Sequence, residues 1–208
     1  METPLCIAIG RQYGSGGRRI GQLLSEKLGC AYYDKELLAR VAKETGINGA
    51  FFERMDERTS TPVAVAQASG WSFSNWFGLA ENLLSGESLF SMQCDTIRKI
   101  ASEGPCVLVG RCANYILRDN PNLISVFITA DESDRLARIQ EVEQLDEKSA
   151  RELLVKIDKS RASYYNYYTD MTWGASEFYD LCVNSSRLGV EATAELLADY
   201  ILKRQRLL

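Results

Sequence analysis

Five short runs of apolar residues, Leu5–Ile9, Cys30–Tyr33, Cys106–Val109, Leu123–Thr129 and Phe178–Val183, alternate with stretches of helical spacing. Strands that read as continuously apolar are buried on both faces, which happens when helices cover both sides of a parallel sheet. The order β-α-β-(α)-β-α-β-α-β-α therefore predicts an α/β protein built on a parallel five-stranded sheet. In such sheets ligands bind beyond the carboxyl ends of the strands.

The helices are delimited by glycines and polar starts. The first is expected from Gly17 to Leu28, stopped by Gly29, and a second opens at Asp34 and ends at Gly46. Residues 47–86 show no strand and contain "SGWSFSNWFG"; they read as a helical insertion, with Trp71, Phe73, Trp76 and Phe77 buried there or in a homodimer interface. The spacing of Phe90, Ile97 and Ala101 predicts a core-facing helix over 87–102. A long polar helix follows from Glu147 to about Tyr168, and a closing one from Val190 to Lys203. At 208 residues the chain suits a single domain over 1–208, with 47–104 as a helical, substrate-side insertion and 131–170 as a lid region.

Composition removes several classes of function. The formal charge of −4 argues against a general nucleic-acid binder, which needs a basic surface. Without any histidine there is no imidazole acid–base pair, nucleophile partner or metal ligand. The six cysteines have no C-x-x-C spacing and read as buried free thiols of a reducing compartment. The N-terminus carries no signal-peptide pattern, and no run approaches the ~20 apolar residues that span a bilayer. A cytoplasmic protein with no membrane partner is expected.

The chemistry concentrates in "IAIGRQYGSGGRRIG", Ile7 to Gly21. A strand, a glycine-rich turn and a helix start together make an anion site, because glycines turn backbone N–H groups toward a phosphate and the helix N-terminus is electropositive. Aligned on Gly16, a Walker A motif (G-x-x-x-x-G-K-[ST]) meets Arg11 in place of its first glycine, Gly17 in place of lysine and Arg18 in place of Ser/Thr. A dinucleotide loop is the rival: Gly10-x-x-x-Gly14-x-Gly16 fits short-chain dehydrogenases, with Asp34 where a ribose-binding acid stands. Against it, no tyrosine is followed four residues later by lysine. A structural turn without ligand is the third reading.

Downstream residues separate these readings. "LFSMQCDTIRKIASEGPCVLVGRCANYIL", then "ISVFITADESDRLARI", then Asp158-x-x-Arg161 and "EFYDLCVNSS" resemble the cytidylate kinases, members of the P-loop nucleoside monophosphate kinases. The opening "RQYGSGGRRIGQLLSEKLGCAYYDKELL" resembles the cytidylate kinase-like branch, in which G-S-G-G replaces Walker A. Two departures stand out. In the family's D-G-R-D the acids are here Val109 and Cys112, and in its lid pattern R-x-x-x-D-x-x-R the first arginine is Leu154.

The resemblance implies a three-layer α/β/α P-loop kinase-like fold with a lid helix, and a phosphotransferase using ATP and Mg²⁺ on a small acceptor, CMP by default. It implies donor contacts from Gly14, Ser15, Gly16, Gly17, Arg18 and Arg19, with Arg18 or Arg19 as the lysine's substitute and Asn184 and Ser185 at the adenine edge. Arg11, Asp34, Arg111, Asp158 and Arg161 fall to the acceptor, and Arg18, Arg111 and Arg161 to catalysis. No Mg²⁺ ligand is identified. A nucleotide-binding protein without catalysis is the alternative, because the Walker lysine and hydroxyl are absent.

Overall fold

The computed structural model describes residues 3–34 and 86–205. The helix expected after Asp34 and the stretch holding Trp71, Phe73, Trp76 and Phe77 lie outside the described residues. The strands are β1 (Cys6–Arg11), β2 (Ala31–Tyr33), β3 (Cys106–Val109), β4 (Leu123–Thr129) and β5 (Leu181–Asn184). They form one parallel sheet in the order β2-β3-β1-β4-β5. The described helices are α1 (Gly17–Leu28), α2 (Gly86–Glu103), α3 (Ala113–Ile116), α4 (Glu132–Glu143), α5 (Glu147–Thr169) and α6 (Gly189–Gln205).

Alternation along the central strands divides the core into two. Cys6, Ala8, Cys106 and Leu108 face one side, where Ile97, Ile100 and Ala101 of α2 and Tyr165 of α5 cover them. Ile7, Ile9, Val107, Val109, Val126 and Ile128 face the other, against Ile20 and Leu24 of α1 and Leu197 and Ile201 of α6. This is the three-layer arrangement the apolar runs predict. A third, smaller cluster joins α4 to α5 through Leu136, Ile139, Ala150 and Leu154. Leu154, which replaces the arginine of the family's lid pattern, is therefore a buried packing residue of the helix pair.

Strand order rejects the dinucleotide reading. In the dinucleotide fold β1 lies beside β2 (order 3-2-1-4), whereas here β3 stands between them. The fifth strand is also corrected. Ser176–Phe178 form a 3-10 turn, and pairing begins after Asp180, whose carboxylate accepts from the Ser125 N–H (2.7 Å) and hydroxyl (2.8 Å). Being at the sheet edge, β5 leaves Cys182 exposed, and Cys30 is half-buried; Cys6, Cys94, Cys106 and Cys112 are buried, and all six are free thiols. Among the described residues no helix is long and apolar enough to cross a membrane.

Candidate functional site

The carboxyl ends of the strands converge on the turn from Gln12 to Gly16. Gly14 and Gly16 take left-handed backbone angles (φ 75° and 79°), and Gly16 caps α1. The first helical bond runs from the Ile20 N–H to the Gly16 carbonyl (2.9 Å). The N–H groups of Gly17, Arg18 and Arg19 thus precede any intrahelical acceptor, in the region where the helix dipole is positive. The turn is braced from behind. The Ser15 hydroxyl, fully buried, donates to the Gln12 carbonyl (2.8 Å), and the Ser185 hydroxyl donates to the Ser15 carbonyl (2.7 Å).

Gly14 is closed to any side chain: a Cβ there would lie 2.6 Å from the Arg135 carbonyl oxygen, besides its positive φ. Gly14→Ala is expected to destabilise the chain by about 2 kcal/mol or more, from left-handed strain plus an unrelieved backbone clash. Thermal melting checks this.

The cations are distributed unequally. Arg18 turns toward Asp34, its Nε donating to Oδ2 (2.5 Å), while Arg11 Nη2 lies 3.8 Å from the other carboxylate oxygen. Arg11 and Asp34 are both buried. Arg19 points outward, 4.0 Å from Glu26 on the solvent side of α1. At the end of β3 three consecutive residues, Gly110, Arg111 and Cys112, have φ of 77°, 59° and 55°. Left-handed angles at two non-glycine residues cost free energy that surrounding contacts must offset. Here Gly110 donates to the Ile9 carbonyl (2.9 Å), and Gln93 Nε2 donates to the Arg111 carbonyl (3.2 Å). Gln93 Oε1 in turn accepts from the Tyr164 hydroxyl (3.3 Å), whose pKa burial pushes up, so it stays a donor. The turn sends buried Arg111 into a cleft that it shares with Arg11, Arg161, Tyr164, Trp173 and Tyr179.

Helices α4 and α5 grip the loop at Tyr13. Its N–H donates to Asp158 Oδ1 (2.7 Å), and its carbonyl accepts from Arg135 Nε (2.7 Å). Arg135 closes the ring through an ion pair with Asp158 Oδ2, and Arg138 donates to the Gly14 carbonyl. The Tyr13 hydroxyl donates to Glu143 (2.7 Å), and burial, then that bond, raises its pKa to about 12. Arg161 Nη1 donates to the Arg11 carbonyl (3.2 Å), with its guanidinium 5.6 Å from the Tyr13 ring centre. Both oxygens of Asp158 are thus engaged by the loop and α4.

Of the residues singled out from the sequence, Arg11, Arg111 and Arg161 line one cleft; Gly14 to Arg18 form the adjoining turn and helix start, and Asp34 faces Arg18 and Arg11. Arg19 stands apart. Arg151, which helical periodicity puts in the same sector as Asp158 and Arg161, pairs instead with Glu132 and Glu147 at the solvent-exposed start of α5. Angular phase is shared, but seven residues separate it from Asp158 along the axis. Asn184 Nδ2 donates to Asp131 Oδ1 (2.8 Å), closing a polar turn with Ser186 and Arg187 between the ends of β4 and β5. Tyr13, Arg135 and Arg138 were not read from the sequence as site residues; the paired arginines just after β4 were the available signal.

Among the described residues no group of three or more acidic or thiol side chains could hold a metal ion. Of the described carboxylates at the loop, Asp34 has its oxygens facing Arg18 and Arg11, and Asp158 has both of its own engaged by Tyr13 and Arg135. These residues do not fit a protein-held Mg²⁺.

A model of the cytidylate kinase-like family matches residues 6–187. A cytidylate kinase of Methanosarcina acetivorans is 26% identical over 189 residues, covering 88% of this chain and 89% of that protein. The crystal structure of an uncharacterized protein from Eubacterium ventriosum superposes with a TM-score of 0.71 at 32% identity, over 95% of this chain and 98% of that one. Shikimate kinase from Bacteroides thetaiotaomicron, at 11% identity, has a TM-score of 0.53 over 95% of this chain and 98% of that one, a likeness of fold alone.

Proposed function

The chain belongs to the cytidylate kinase-like family, with a P-loop kinase fold, and on that premise we propose that it transfers the γ-phosphate of ATP to a nucleoside monophosphate, CMP first. The observation that carries this is the meeting of Arg11, Arg111 and Arg161 in one cleft beside the glycine-rich turn. Phosphoryl transfer asks for little covalent chemistry: donor and acceptor must be aligned, and charge on the transferring group neutralised. The N–H groups from Gly16 to Arg18 receive the donor's β-phosphate, the Ser15 N–H being turned back to the Gln12 carbonyl (3.3 Å). Arg111 holds the acceptor's phosphate at the end of β3, and Arg161 reaches it from the lid helix. Asn184 and Ser185 belong to the adenine side, where Ser185 acts through the loop it braces. Mg²⁺ arrives as part of the donor, on its phosphates and water, in the manner usual for this ion.

A second reading, a nucleotide-binding protein without catalysis, is favoured by the Arg18–Asp34 pair, which occupies the cation next in line to the missing lysine. The experiment that separates them is ADP release from ATP and Mg²⁺ in the presence of each nucleoside monophosphate. The kinase reading predicts acceptor-dependent release, greatest with CMP. Tight ATP binding by calorimetry with no acceptor-dependent release identifies the binder.

A further inference from the structure

We propose that Arg11 supplies to the donor's phosphates the cation that a lysine at position 17 supplies in a standard Walker A loop, the two side chains having exchanged places across the turn. This rests on the phosphotransfer reading above and moves Arg11 from the acceptor to the donor side. In the standard motif position 11 is glycine and position 17 lysine; here they are arginine and glycine. The structure supplies the physical link between the two changes. A Cβ on Gly17 would lie 2.6 Å from Arg11 Cβ and 3.1 Å from its Cγ, so the two stems claim the same space. Only one of the two positions can carry a long side chain.

The Arg11 stem is therefore rooted where a lysine at 17 would start. It is 8% exposed and lines the cleft with Arg111 and Arg161, its guanidinium 3.8 Å from Asp34 and its own carbonyl held by Arg161. A cation so fixed is preorganised toward developing phosphate charge, and a guanidinium binds phosphate in a bidentate fork. Arg18, by contrast, has a half-exposed side chain on the helix itself. Arg18 is left to hold Asp34, which sets the position of Arg11.

The test is a reciprocal exchange in the full chain: Arg11→Gly, Gly17→Lys and the two together, with ATP binding in Mg²⁺ measured by calorimetry. CMP binding and thermal melting are followed in parallel. Arg11→Gly is expected to weaken ATP binding by on the order of 100-fold, with CMP affinity changed by less than about threefold. Gly17→Lys alone also weakens ATP binding, because the stems collide. The double variant recovers to within about tenfold of the native chain. Arg11→Met keeps the stem beside Gly17 and removes only the charge, so it carries the same expectation if Arg11→Gly melts early. A folded double variant no better than Arg11→Gly overturns the exchange, as does an Arg11→Met variant that keeps ATP and loses CMP. A native chain that binds no ATP overturns the phosphotransfer reading itself.

Discussion

Arg111→Gly is expected to leave a folded protein whose kcat/KM for its nucleotide acceptor falls by about 10²–10³-fold, roughly 3–4 kcal/mol of transition-state stabilisation. The KM for ATP stays near its native value, because the loop and its bracing bonds are untouched. Two properties of one residue combine in this effect. Arg111 sits at φ 59°, where any non-glycine side chain is strained, and it is followed by Cys112 in the same region. Glycine relieves about 1 kcal/mol of that strain, and the Gln93 bond survives because it goes to the backbone carbonyl. Melting within about 3 °C of native is therefore expected, set by the small net change. Strain held at a position whose removal lowers activity and not stability marks a residue kept for chemistry. Steady-state kinetics and melting on the same preparation check both halves.

The second large effect falls on stability. Asp158→Ala removes the carboxylate that pairs with Arg135, whose side chain is 7% exposed, and frees the Tyr13 N–H. Breaking a buried pair by deleting one partner costs about 3–5 kcal/mol, or roughly 6–20 °C in Tm for a chain of this size. Arg135→Met with Asp158→Leu leaves no uncompensated charge and is expected to lose less than the single change. Both variants should also lose ATP affinity, since Arg135 and Asp158 together fix the peptide groups of Tyr13. A double-mutant cycle read by melting and calorimetry measures the coupling.

Much of the fold was legible because its signals are local and periodic. The runs Cys106–Val109 and Leu123–Thr129 match β3 and β4 to the residue, and Gly17 to Leu28 matches α1, closed by Gly29 at φ 61°. The fifth strand was less legible because Asp180, not an apolar residue, sets where pairing begins. The four-residue α3 is too short to leave a period. Arg11 and Arg111 were legible as arginines at strand ends, where a parallel sheet binds its ligands. What spacing cannot carry is which partner each arginine meets. Arg18 and Arg19 are adjacent in sequence, yet one meets Asp34 inside the site and the other Glu26 outside it. The family's lid pattern implies an acceptor role for Asp158; its oxygens meet Tyr13 and Arg135, over 100 and 20 residues away along the chain. Such contacts depend on how α4 and α5 are docked, and a single sequence holds no record of that.

The exchange at positions 11 and 17 falls between these cases. Both departures from the phosphate-loop pattern are visible in the sequence, but as two unrelated losses. Only the 2.6 Å approach of their Cβ positions makes them one change.

Transfer of a phosphoryl group between nucleotides in this cleft is measured by ³¹P NMR of ATP, Mg²⁺ and CMP with catalytic amounts of the native chain. CDP and ADP are expected together in equal amounts, and neither when CMP is omitted. Unchanged ATP, or ADP accompanied only by inorganic phosphate, would contradict it.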